Sequence, residues 1–294
     1  MSIEKYRHPV LFYFLSTAFP WLFWFLAAYL SHLNPGSELT RTAMSAFCII
    51  GLVCPTIIAL VMIYPDRGLR RDLARRFFNF GEIRPVYLVL TCFLMPGSIL
   101  AAQAISLLFG HSAEQFLFAD RFSFTAGIFP AWFLIILAPI IEELAWHSYG
   151  TDCLRNRFNL FLTSMIFAVY WVLWHFPLSF IKDYYHANLA ESGVLYSLNF
   201  AVSLIPFVIL MNWLYYKSGR NILVAVVFHI TAGLFNEIFR THPDSKVIQT
   251  GLLLILSIYL LIRERDFFFR REYGHENPGE LNTRVTESPN PLKA

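Results

Sequence analysis

The chain's hydrophobic residues fall in long unbroken runs instead of alternating along strands or striping one face of soluble helices. Eight runs stand out, at about 9–30, 43–64, 86–109, 128–149, 159–180, 194–215, 221–239 and 247–263. About 20 apolar residues in a helix cross the hydrocarbon core of a bilayer. Only helices and closed barrels satisfy their backbone groups there. The pattern predicts an all-α polytopic membrane protein of about eight transmembrane helices, with the fourth and seventh interrupted by polar residues. The first run begins with Lys5 and Arg7 but is longer than a signal-peptide core, so it reads as an uncleaved helix.

Composition agrees with the pattern. Of 294 residues, 56% are hydrophobic and 15% charged, against roughly 25% charged in a soluble domain. The net charge of +3 gives no electrostatic footprint for nucleic acid, but the distribution of that charge is informative. Lys and Arg total 18 in the N-terminus, the even-numbered loops and the C-terminal tail, and 5 in the odd-numbered loops. The positive-inside rule then places both termini in the cytoplasm and the protein in the plasma (inner) membrane. Residues 1–265 form the membrane domain and 266–294 a basic, partly disordered cytoplasmic tail. The loop containing Arg67, Arg70, Arg71, Arg75 and Arg76 has basic-amphipathic character and suits an interfacial helix. The four cysteines form no CxxC pair and read as small apolar residues.

The candidate chemistry lies inside the apolar runs. Glu142 and Glu143 sit in PAWFLIILAPIIEELAWHSYG, His175 in VYWVLWHFP and His229 in VAVVFHITAG. A carboxylate near the bilayer centre costs roughly 2.5–3.5 kcal/mol even on a lenient scale, so such residues suggest a site. A single membrane histidine is more often an interhelical hydrogen-bonding residue. Two of them with a paired carboxylate weigh against that reading. Glu142 and His175 lie 16 and 17 residues from Phe158 at the turn between their runs, so they reach one level at about 1.5 Å per residue. His229 lies some eight residues past Asn221. Together they predict a polar cavity open toward the cytoplasm, with Arg155 and Arg157 in water at the hairpin tip. Glu143 and His147, four apart, share a face and are expected to pair, while Glu142 points about 100° away. Glu237 is expected to be solvated, Asn199 and Asn212 to bond between helices, and Trp146, Trp171 and Trp174 to pack.

Taken in order, these motifs resemble the CAAX protease and bacteriocin-processing (Abi) family of type II CAAX prenyl endopeptidases, which are intramembrane glutamic proteases. The family pattern EExxxR is matched by Glu142 to His147, FxxxH by Trp171 to His175, and HxxxN by His229 to Gly233. The stretch NWLYYKSGRNILVAVVFH leads into the third motif in the family's manner, and the likeness spans about residues 125–240. It departs at three places: histidine at 147, tryptophan at 171 and glycine at 233.

The resemblance implies hydrolysis of a peptide bond in a membrane-anchored peptide or protein. Glu142 would activate a water, His175 would hold that water or polarise the carbonyl, and His229 would stabilise the oxyanion. Glu143 and His147 would support the site, and Asn236, one turn beyond Gly233, would be either an oxyanion donor or a packing residue. No cofactor is expected. The alternative is zinc on Glu142, His175 and His229, a donor set zinc accepts. A second reading treats the chain as a weak or inactive relative serving as a scaffold, immunity or peptide-binding protein, since Gly233 removes a donor and such a loss typically costs about 10²–10³ in rate. A small transporter with a Glu/His relay is a third, weakened by the absence of inverted repeats.

Overall fold

The computed structural model describes residues 3–33, 37–125 and 127–271. The tail beyond residue 271, expected to be disordered, lies outside the described residues. The architecture is all-helical. Its elements are α1 (Pro9–Leu33), α2 (Glu38–Ile63), α3 (Arg67–Phe78), α4 (Pro85–Ser106), α5 (Ala131–Ala145), α6 (Thr151–Arg155), α7 (Leu160–Trp174), α8 (Tyr185–Glu191), α9 (Val194–Lys217), α10 (Ile222–Glu237), α11 (Pro243–Arg263) and α12 (Arg265–Phe269). A π-helical turn, Trp146–Gly150, joins α5 to α6.

Among the described residues, seven helical segments are long and apolar enough to cross a membrane; α5 counts as part of one, Ala131–Arg155. The eighth expected span is the shorter α10. Its 16 residues reach about 24 Å, less than the roughly 30 Å hydrocarbon core. It can be short because it packs against α4, α5 and α9. The other main contacts are α1 on α2, α2 on α5, α7 on α9, and α11 on α4 and α9.

Outward-facing residues such as Phe14, Leu22, Val89, Phe93, Ile255 and Ile262 are apolar and exposed, as lipid contact requires. The interior is built from aromatic side chains. Trp146 meets Phe12, Phe167 and Trp174 with ring centroids 5.2–6.1 Å apart, distances that suit edge and tilted contacts. Trp24 approaches α2 so closely that a Cβ at Gly51 would lie 2.4 Å from its Nε1, so only glycine fits there.

The basic loop folds as the amphipathic helix α3, capped at its start by Asp66. Arg67, Arg70, Arg71 and Arg75 face outward, while Asp72 and Arg76 turn inward. The Arg76 guanidinium donates to the carbonyls of His147 and Ser148 and to Asp152, each at 2.8 Å. The π turn thus has its carbonyls tied to a helix outside the membrane core. Asp72, Asp152 and Arg220 complete a buried ion network.

Two expectations need correction. Arg155 is buried, not in water, and donates to the Phe158 carbonyl at 3.0 Å. The fourth span runs past the expected end through the π turn and α6, drawing the arginine into the bundle. Glu237 is also buried, because the segment 117–124 folds over the end of α10. Ala119 N–H donates to the Ile238 carbonyl at 2.9 Å, and Ser123 N–H to the Glu237 carboxylate at 2.9 Å.

The buried network predicts unequal costs at neighbouring arginines. Arg76→Ala removes the buried cation shared by Asp72 and Asp152 and the guanidinium donors to two carbonyls, and should cost roughly 3–5 kcal/mol. Arg75→Ala breaks only an exposed pair with Glu82 and should leave the unfolding midpoint in detergent unchanged. Thermal unfolding of the two variants checks the difference.

Candidate active site

Pro139 lies one turn before the glutamates and has no N–H for the Ile135 carbonyl. Beyond them the backbone widens into the π turn. Such turns inside α-helices are frequent at functional sites. Here the turn carries His147, and the two glutamates before it, about 100° apart on the helix, point to different partners.

Glu143 is fully buried and accepts from two histidines. One carboxylate oxygen pairs with His147 Nδ1, and the other lies 2.8 Å from His229 Nδ1. The expected pairing of Glu143 with His147 is present, and the bond to His229 was missed by the sequence reading. The far nitrogen of His147, Nε2, faces Asn212 Oδ1 at 3.0 Å, and Asn212 Nδ2 donates to Ser164 Oγ at 2.9 Å. Both nitrogens of His147 therefore have an oxygen partner. The imidazole stands where the family pattern has arginine. Asn212 forms an interhelical hydrogen bond as expected.

Glu142 faces the other way and accepts a 3.0 Å hydrogen bond from Trp171 Nε1. A phenylalanine at 171 would have no N–H to offer. Trp171, expected to pack only, thus also binds the candidate base. Its own carbonyl lies 2.7 Å from His175 Nδ1. A carbonyl can only accept, so Nδ1 carries the hydrogen and Nε2 of the neutral ring keeps a lone pair. The Trp171 ring stands edge-on to His229 at 5.2 Å. One tryptophan therefore touches all three candidate catalytic residues.

Glu142, Trp171, His175 and His229 line one cavity of about 270 Å³ with Gly233 and Asn236. Its remaining walls are mostly apolar, from α4, α5, α9 and α11, including Met95, Leu134, Phe207 and Leu253. Phe124, Tyr184, Tyr185 and His186 also line it. These belong to the connections at the end of the bundle opposite the chain's N-terminus, α3 and α12. These lining residues lie on the side of the cavity away from the basic end.

Asn236 lines the cavity, but its amide donates to Tyr185 Oη and Glu237, both at 3.2 Å. To serve an oxyanion it would have to release them. At Gly233 a Cβ would meet nothing closer than Ile135 at 3.8 Å, so a larger side chain fits there. His186 is an unforeseen lining residue. It stacks on His175 with centroids 4.8 Å apart, and neither ring nitrogen has a hydrogen-bond partner among the described residues. Burial holds its imidazole well below the usual range and keeps it neutral. No spacing rule ties a histidine in the connection between two spans to the motif histidine of another helix. Among the described residues, the metal-type group whose donor atoms lie within 4.8 Å of one another is not Glu142, His175 and His229 but His111, His242 and Asp244.

Residues 124–235 match the family model for type II CAAX prenyl endopeptidase Rce1-like proteins. CAAX prenyl protease 2 of Methanococcus maripaludis is 34% identical over 272 residues, covering 92% of this chain and 99% of that protein. Lysostaphin resistance protein A of Staphylococcus haemolyticus is 23% identical over 215 residues, 71% of this chain and 55% of that protein.

The two glutamates should differ in stability. Glu143→Gln removes the buried carboxylate that bonds both His147 and His229 and should cost roughly 3–5 kcal/mol. Glu142→Gln keeps the oxygen that Trp171 uses and strands no charge, so it should cost less, about 1 kcal/mol. Thermal unfolding in detergent reads both.

Proposed function

The chain belongs to the type II CAAX prenyl endopeptidase family, and from that premise we propose that it is an intramembrane endopeptidase acting on a membrane-anchored peptide or protein. The observation that carries this reading is the convergence of Glu142, His175 and His229 on one cavity, with Glu143 committed to two histidines. The Glu142 carboxylate takes a proton from a water whose oxygen bonds to the scissile carbonyl carbon. His175 Nε2, with its lone pair, holds that water by accepting its second hydrogen. The Glu143 carboxylate accepts from His229 Nδ1–H and stabilises the imidazolium, in which Nε2 also carries a hydrogen, as an acid does behind a catalytic histidine. His229 Nε2–H then donates to the oxyanion. Collapse breaks the C–N bond, and Glu142 returns its proton to the leaving amine. The two departing fragments are a carboxylic acid and an amine, so no redox partner or cofactor is needed.

A second reading is a peptide-binding or immunity protein of weak or absent activity. Gly233, which offers no donor, favours it, as does the likeness to a lysostaphin resistance protein. On topology, the distribution of Lys and Arg, 18 against 5, argues for the basic end in the cytoplasm. The connections that line the cavity then lie toward the opposite side of the membrane.

In reconstituted vesicles with a membrane-anchored peptide, Glu142→Ala, His175→Ala and His229→Ala should each lower cleavage by at least about 10² while unfolding cooperatively. Full activity in Glu142→Gln would sink the glutamate-base mechanism. Gly233→Asn should raise turnover at least tenfold, toward the roughly 10²–10³ that one oxyanion donor supplies. Absence of turnover in both wild type and Gly233→Asn would favour the binding reading. For topology, single-cysteine variants at Arg71 and Lys182, made without the native cysteines, are labelled in intact cells with an impermeant maleimide. Label is expected at 182 and not at 71, and the reverse result would invert the proposed orientation.

A further inference from the structure

A second constellation of ligand-type side chains lies apart from the catalytic cavity. His111 follows Gly110, which ends the helical stretch after α4 in a left-handed turn with φ of 86°. His242 and Asp244 stand at the start of α11, where the His242 side chain caps the helix. Distant in sequence, they meet in space. His111 Nε2 lies 3.3 Å and His242 Nδ1 3.6 Å from the same oxygen of Asp244, and all three donor atoms fall within 4.8 Å of one another. The two imidazole rings are 4.2 Å apart at 35°.

These separations match an empty coordination sphere better than an ordinary helix cap. Donors about 2.0–2.1 Å from a tetrahedral ion stand roughly 3.3–3.4 Å apart. Two edges of this cluster already lie near that value. The carboxylate is also oriented from behind, since Tyr196 Oη donates to its other oxygen at 2.9 Å. Such second-shell bonds are typical of metal-ligating carboxylates. The two chain segments are further clamped by Gln103 Nε2 to Thr241 Oγ1 at 2.7 Å and Ser245 Oγ to Gln115 Oε1 at 2.6 Å. The donors are thus held in place by other bonds. The one cost is local. His242 Nδ1 now accepts from the Asp244 N–H at 3.2 Å, and a metal would take that lone pair.

We propose that His111, His242 and Asp244 bind a divalent cation of the zinc class, with water at a fourth position. Two imidazoles and one carboxylate suit zinc or cobalt better than calcium or magnesium, which take oxygen donors. The ion would staple the end of α4 to the start of α11. These helices also supply Met95, Gln249, Thr250 and Leu253 to the catalytic cavity, so the staple would hold one of its walls. The proposal is independent of the peptidase mechanism, because none of the three residues lines that cavity.

The test uses the full-length protein in detergent, purified with a tag that lacks histidine and stripped with chelator. Titration with Co²⁺ should give one equivalent bound with the visible absorption of a four-coordinate site. His111→Ala and Asp244→Asn should lose that spectrum, and Glu142→Ala and His229→Ala should keep it. Tyr196→Phe should weaken binding roughly 10–100-fold. Zn²⁺ should raise the unfolding midpoint of wild type and not of His111→Ala. No stoichiometric binding by wild type, or binding that persists in His111→Ala and vanishes in Glu142→Ala, overturns the proposal.

Discussion

The buried Glu143 carboxylate is the constraint on which the rest of the site depends. A charge withdrawn from water inside a membrane bundle is tolerated only when it is paired and hydrogen-bonded. Glu143 meets that demand with two histidines, one from its own turn and one from α10. The pairing fixes the rotation of α5 against α10 and orients His229 by its Nδ1. It also requires Glu142, the next residue, to face elsewhere, into the cavity. The division of labour between adjacent glutamates is thus a consequence of helical geometry plus the cost of an unpaired charge.

That arrangement is held from outside the membrane core. Arg76, on the amphipathic helix α3, binds the carbonyls of His147 and Ser148 in the π turn. The outer face of α3 carries four exposed arginines, so the helix that is basic on one side grips the site's supporting turn on the other. His147 puts an imidazole at the position where the family pattern has arginine, and its Nε2 meets Asn212 Oδ1. Trp171 substitutes for the motif phenylalanine while adding a donor to Glu142. Two of the three departures from the family pattern therefore have a local physical account. Gly233 does not: it leaves space where a donor would stand.

Much of this was legible in the sequence because it rests on composition and local spacing. Runs of about 20 apolar residues specify spanning helices whatever their packing; α10 read as a weak span because polar residues interrupt it, and the structure shows that it is also short. The i, i+4 pairing of Glu143 with His147 follows from helix periodicity alone. Arg155 and Glu237 were misplaced because nearby segments fold over them, which no window of neighbouring residues reveals. His186 escaped notice for the same reason, lying in a connection between spans.

What the sequence determined by itself was the helical membrane class, the division of charge between the two ends of the bundle and the candidate residues, since hydrophobicity and charge act residue by residue. Tertiary structure alone decided which glutamate is tied and which is open, which tautomer His175 holds, and which connections line the cavity. Those depend on distances between helices far apart in the chain, and a buried hydrogen bond exists only where two such helices bring donor and acceptor within about 3 Å.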